Sequence, residues 1–247
     1  MSENLFIRKI RLKREEIADF DSYPFDIEVI RELDEINFEK PVTFLTGENG
    51  TGKSTLIEAI AIGMGLNPEG GSQNFSFSTN DTHSQLSQYL TISKMGRPQT
   101  KFFLRAESFY NVATEIENIS KNGGGGPLYG AYGGDLHECS HGEAFIKLVM
   151  NRFSGNGLYI LDEPEAALSP QRQMSLLCLM DELVKKGSQF IIATHSPILL
   201  SYRDGIILDL DHGLRETAYK DTQVYLLYKL FLDDPEGMQS RLLDEES

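Results

Sequence analysis

The sequence predicts an α/β fold in one domain spanning 1–247: a mostly parallel central sheet with helices packed on it, an antiparallel β part at the N-terminus and a small inserted lobe. Three observations carry that prediction. An apolar run, Val42 to Leu45, leads into the glycine-rich stretch 47–55 and then into Leu56, Ile57, Ala59, Ile60 and Ile62 at helical spacing. From residue 141 onward, helical and strand patterns alternate, as they do where parallel strands are joined through helices. Residues 5–12 and 25–30 alternate apolar with polar side chains, which suits an antiparallel start leading into the strand at 42–46.

After the first long helix, residues 64–100 turn polar and rich in Gly, Ser, Asn and Thr, with a helical patch near 84–93. The inserted lobe is assigned to 64–140. Within it fall a strand at 101–105, a helix through 109–119, and the glycine run 122–134, which breaks regular structure and reads either as a linker or as a loop shaped by a ligand. The remainder reads as helix 141–153, strand 158–161, helix 170–186, strand 189–194, strand 206–209 and a helix near 222–232. Helix 170–186 spells out its ends, with Ser169 as N-cap, Pro170 at the first helical position, Lys185 and Lys186 in the last turn and Gly187 beyond. The acidic stretch 233–247 reads as a flexible, solvated tail.

No apolar run approaches the length needed to cross a bilayer, and the start carries no apolar leader, so the expected location is the cytoplasm without membrane insertion. Two cysteines are too few for a disulfide framework. The net charge of −14 disfavours direct nucleic-acid binding, which rests on neutralising phosphates. A dense basic cluster, Arg8, Lys9, Arg11, Lys13 and Arg14, reads first as the solvated face of a strand, since no aromatics interleave with it.

Gly47, Glu48, Asn49, Gly50, Thr51, Gly52, Lys53, Ser54 and Thr55 fill the pattern G-x-x-x-x-G-K-[ST]. The glycines let backbone N–H groups turn inward on a β-phosphate, and the following helix N-terminus adds partial positive charge. Lys53 then bridges β- and γ-phosphates, while the Ser54 hydroxyl is offered to Mg²⁺. The expected ligands are therefore ATP and Mg²⁺. Downstream, the apolar strand 158–161 ends in Asp162 and Glu163, where an open α/β sheet places its chemistry. Asp162 suits the metal and Glu163 the general base that takes a proton from the attacking water. Ser140, Gly142 and Glu143 open the helix at 141; they read as a capping box, Ser140 with Glu143, and also as a second anion site. By position Tyr23 or Phe25 is a candidate to stack on adenine, with a core aromatic as the plainer reading.

The order of phosphate loop, Ser-x-Gly-Glu helix start, Asp-Glu-Pro strand end and Ala193-Thr194-His195-Ser196 resembles the ABC-type ATPases over residues 42–200. It is similar to the ATP-binding heads of SMC-like and RecF-like proteins and to short soluble bacterial ATPases of the same superfamily. The resemblance implies that Ser140 and Gly142 reach across a head-to-tail homodimer to the γ-phosphate held by the other copy, and that residues 166–169 communicate across it. It also makes His195 a catalytic switch contacting the γ-phosphate, beside Glu163 and Lys53. Departures from the family pattern are His141 for a glycine, Cys139 for a leucine, Glu143 for a frequent glutamine and Ser169 for an aspartate. The metal-sensing glutamine is missing from its usual place, and Glu107, with Gln73 more distant, is the residue assigned to it. The function implied is a soluble ATPase whose ATP-closed dimer switches an unidentified protein partner. The alternatives are a DNA-repair or genome-maintenance head, too short between Ser54 and Ser140 for coiled-coil arms, and the nucleotide-binding subunit of a transporter.

Overall fold

The computed structural model describes residues 5–68, 85–107 and 141–243. The predicted helix 109–119, the glycine run 122–134, Gln73, Cys139 and Ser140 lie outside these residues.

Nine strands are present among the described residues: β1 (Ile7–Leu12), β2 (Glu35–Asn37), β3 (Val42–Thr46), β4 (Leu90–Lys94), β5 (Thr100–Arg105), β6 (Gly157–Asp162), β7 (Gln189–Ala193), β8 (Gly205–Asp209) and β9 (Arg215–Glu216). They form two sheets. The smaller, in the order β2-β1-β4, is antiparallel; the larger runs β5-β6-β7-β3-β8-β9, parallel throughout except for the edge strand β9. The fold is thus α/β with a mostly parallel central sheet and an antiparallel part beside it. Helices are α1 (Glu28–Glu32), α2 (Lys53–Gly63), α3 (His141–Arg152), α4 (Pro170–Lys185), α5 (Pro197–Leu200), α6 (Gln223–Asp233) and α7 (Pro235–Leu243).

The side-chain period of two divides each central strand between two cores. Leu45, Phe103, Ile160, Ile191 and Leu208 point to one face, where they pack with Leu56, Ile57 and Ile60 of α2 and with the antiparallel sheet. Phe44, Leu104, Leu161, Phe190 and Ile207 point to the other, against Phe145 and Leu148 of α3, Leu176 and Met180 of α4 and Leu199 of α5. The buried Gln189 joins the two sheets. Its Oε1 accepts from Phe6 N at 2.8 Å and Ile7 N at 2.9 Å, while its Nε2 donates to Ile7 O at 2.9 Å.

Four expectations need correction. Residues 28–32 form α1 rather than part of a strand, because Val29, Ile30 and Leu33 bury together at helical spacing. The second antiparallel strand is β2, three residues with only Ile36 buried. The patch at 84–93 is a 3₁₀ turn over Gln85–Tyr89 followed by β4, so part of the expected lobe completes the N-terminal sheet. Residues 235–243 are helical, with Pro235 opening α7 against α6, rather than a structureless tail. The end of α4 follows its sequence signals: Gly187 takes φ 82°, its N–H donates to Val184 O, and Ser188 N donates to Leu183 O. Ser169 holds the N-cap position of that helix without a side-chain capping bond.

Candidate functional site: the phosphate loop and the strand ends

The site collects at the C-terminal ends of β3, β6, β7 and β8. Gly52, at φ 95°, closes the loop and opens α2, a backbone position that side chains with a Cβ rarely adopt. A Cβ there would also meet Ile27 Cγ2 at 3.0 Å. Lys53 is buried, its ammonium folded on the loop and donating to Gly47 O at 2.8 Å and Glu48 O at 2.7 Å. Burial lowers its pKa, against the opposing pull of Glu163, Asp211 and Asp162.

The loop is held by residues that its own pattern does not contain. Both carboxylate oxygens of Asp211 accept from Glu48 N at 3.0 Å, and Gln223 Nε2 donates to Glu48 Oε1 at 3.2 Å. Asp211 is itself set by Asp209, whose Oδ1 accepts from Asp211 N and whose Oδ2 lies 2.9 Å from His212 Nδ1.

Asp162 ends β6 facing Ser54, whose Oγ donates to its Oδ1 at 3.2 Å. Two oxygen ligands on adjacent corners of a magnesium octahedron lie about 3 Å apart, so this all-oxygen pair fits Mg²⁺. Burial pushes the Asp162 carboxyl up to about 6, despite the Arg105 guanidinium beside it. Arg105 Nε is 3.3 Å from Asp162 Oδ2, and its Nη1 donates to Glu58 Oε2 at 2.8 Å. Glu107 is exposed just beyond β5, 3.9 Å from Arg105 Nη2.

Glu163 sits in the left-handed region at φ 48° and ψ 51°, a conformation costing a non-glycine residue on the order of 1 kcal/mol. Its backbone N–H donates to Ala193 O at 2.9 Å. Its carboxylate is half-buried, with Oε1 3.6 Å from His195 Nε2, which makes no hydrogen bond. Burial and the Lys53 charge lower the His195 pKa, so the ring is neutral near pH 7. Glu165 Oε1 accepts from His195 N at 2.6 Å, and burial raises the Glu165 pKa. Gln173 on α4 completes the support, donating to Leu168 O at 2.9 Å and accepting from Ser196 Oγ at 2.5 Å.

The start of α3 packs on α4 and on the turn after β6. A Cβ on Gly142 would meet Arg172 Nη1 at 2.6 Å and Ala167 O at 2.9 Å, so only glycine lets this helix close on α4 and the 166–169 loop. Glu143 pairs with Arg172 Nη2 at 3.0 Å. Phe25 is buried edge-on against Tyr89, which makes it a core aromatic. Tyr23 is 63% exposed, with its hydroxyl 3.3 Å from Thr55 Oγ1. Four supports escaped the sequence reading: Asp211, Glu165, Gln173 and Arg105. Only Arg105 and Glu165 carried any local signal, as charged residues next to strand ends.

A family model described as an AAA domain matches residues 16–146. A second AAA domain model, whose description names an AbiEii toxin and a type IV toxin–antitoxin system, matches residues 144–201. A Bacillus cereus protein named as an ABC transporter ATP-binding protein is 25% identical over 225 residues, 83% of this chain, and this chain spans 39% of that relative's length. Among solved structures, the SMC head domain from Thermotoga maritima aligns with 83% of this chain and 95% of its own at 17% identity and a TM-score of 0.42. A nucleotide-free ATP-binding cassette from an ABC transporter aligns with 83% of this chain and 90% of its own, at 19% identity and a TM-score of 0.42. With its phosphate loop at the end of β3 and a family match over more than half its length, the chain belongs to the AAA domain family.

Proposed function

We propose that the protein binds Mg-ATP, closes head to tail on a second copy with ATP between them, and hydrolyses it to ADP and phosphate to switch a protein partner. The observation that carries this reading is the division of the sheet. The helix that follows the phosphate loop, α2, packs on one face, and α3, which begins with Gly142 and Glu143, packs on the other. A γ-phosphate on the loop would therefore receive Ser140 and Gly142 from another molecule.

Gly47 to Thr55 would hold the phosphates by backbone N–H groups, with Lys53 leaving its two carbonyl partners for the β- and γ-oxygens. Mg²⁺, held by Ser54 and Asp162, would neutralise charge on those phosphates. Glu163 takes the proton of the water that attacks the γ-phosphorus as the bond to the ADP oxygen breaks. His195, whose backbone N–H donates to Glu165, would donate a ring N–H to a γ-phosphate oxygen. Glu107, beyond the end of β5, would take the metal-sensing role from outside Arg105.

Direct DNA binding is not favoured: Lys9, Lys13 and Arg14 of the basic cluster are paired with Glu35, Glu16 and Asp34. The transporter reading takes its support from the name of the Bacillus cereus relative. No helix among the described residues is long and apolar enough to cross a membrane. The test is the solution mass of Glu163→Gln by light scattering, with and without Mg-ATP. A monomer that doubles its mass only with Mg-ATP is the expected result; protein that binds ATP yet keeps its mass refutes the head-to-tail dimer.

A further inference from the structure

Helix α6 has no buried residue, although Leu226, Leu227, Tyr228, Leu230, Phe231 and Leu232 are between 40% and 70% exposed. Its only charge between Gln223 and Leu232 is Lys229. A helix apolar on all sides belongs in an interface rather than in water. Leu226, Leu227 and Leu230 line a groove of about 970 Å³ together with Ile27 and, in α1, Val29. Its lining is acidic, with Glu28, Glu48, Asp209, Asp211 and Asp221, it takes in Asn49, Gly50 and Thr51 of the phosphate loop, and no lysine or arginine lines it among the described residues.

We propose that this groove docks a basic amphipathic helix of another protein. The leucine ridge at i, i+1 and i+4 matches apolar anchors spaced i, i+3 or i+4, and i+7 on the incoming helix. Lysines or arginines flanking those anchors meet Glu28 and Asp221. The inference names the chemistry of the partner in the function proposed above and rests on that reading only for the purpose of docking. It is therefore tested in nucleotide-free protein, so that failure of docking and failure of the ATP-closed dimer are separate results.

The probe is a fluorescent designed peptide of roughly 18 residues, with leucines at helical spacing and lysines on both flanks, titrated by anisotropy. Saturable binding is expected, weakened by salt and lost in Leu226→Asp/Leu230→Asp. In Glu28→Lys/Asp221→Lys, which keeps the apolar ridge, affinity should fall about tenfold, since two rim pairs change sign. The same peptide with glutamates in place of lysines should not bind. Absence of saturable binding, equal affinity for the acidic peptide, or no effect of the rim reversal would each overturn the proposal. Self-association of the parent protein that Leu230→Asp abolishes would assign the groove to a second copy and overturn it equally.

Discussion

Glu163 follows Asp162, the carboxylate proposed for the metal, in a left-handed backbone conformation, with its side chain toward His195. If it is the base, Glu163→Gln should keep ATP affinity while turnover falls by about 10²–10⁴. Unchanged phosphate release would move the base to another group. Lys53→Ala should abolish nucleotide binding, and normal titration of the variant with a fluorescent ATP analogue would defeat the phosphate-loop assignment. Asp162 carries a pH signature. Its folded pKa of about 6 lies above the ordinary aspartate value of 3.8, so the folded state holds the proton more tightly. The cost of ionising Asp162 is then absent below the unfolded value and complete above pH 6, and stability falls as pH rises between them. In metal-free protein, Asp162→Asn should therefore gain stability over the parent by about 2 kcal/mol more at pH 8 than at pH 4.5, read by urea unfolding. At this scale the sequence disclosed the loop, both strand-end carboxylates and His195, because short motifs carry them. It did not disclose Asp211, which meets Glu48 across a sequence separation of 163 residues, or Gln173, whose role exists only once α4 lies between two loops.

Elements with long, consistent periods were legible: the central strands and helices fall within a residue or two of their expected ends. Short ones were not. Phe25, Ile27 and Val29 alternate with Asp26 and Glu28, yet burial of Val29 with Ile30 and Leu33 decides for helix. Acidic residues beyond Leu232 concealed Pro235, which opens α7. The junction of the two sheets was equally hidden, since a glutamine inside a strand gives no sign of its partners. Gln189→Ala would leave two N–H groups and a carbonyl unsatisfied in a buried place, which should cost about 2–4 kcal/mol of stability by denaturant midpoint. A loss below about 0.5 kcal/mol would show that water or a shifted β1 replaces those bonds.

On the scale of the molecule, the two faces of the sheet keep α2 and α3 apart. In the proposed dimer each site would take its phosphate loop from one copy and its Ser140 helix start from the other. Two defective proteins should therefore rescue each other. Lys53→Ala spoils only the loop and Ser140→Arg only the opposite half, so each is silent when pure. Mixed in equal amounts, about half the dimers contain one of each, and each such dimer holds one whole site and one doubly broken site. Random exchange should restore about a quarter of the parental rate if the sites fire independently. Stable mixed dimers with no rescue would mean that the two sites must fire together. The wall of strands thus makes a count of complementing subunits report whether the two ATP molecules are used in concert.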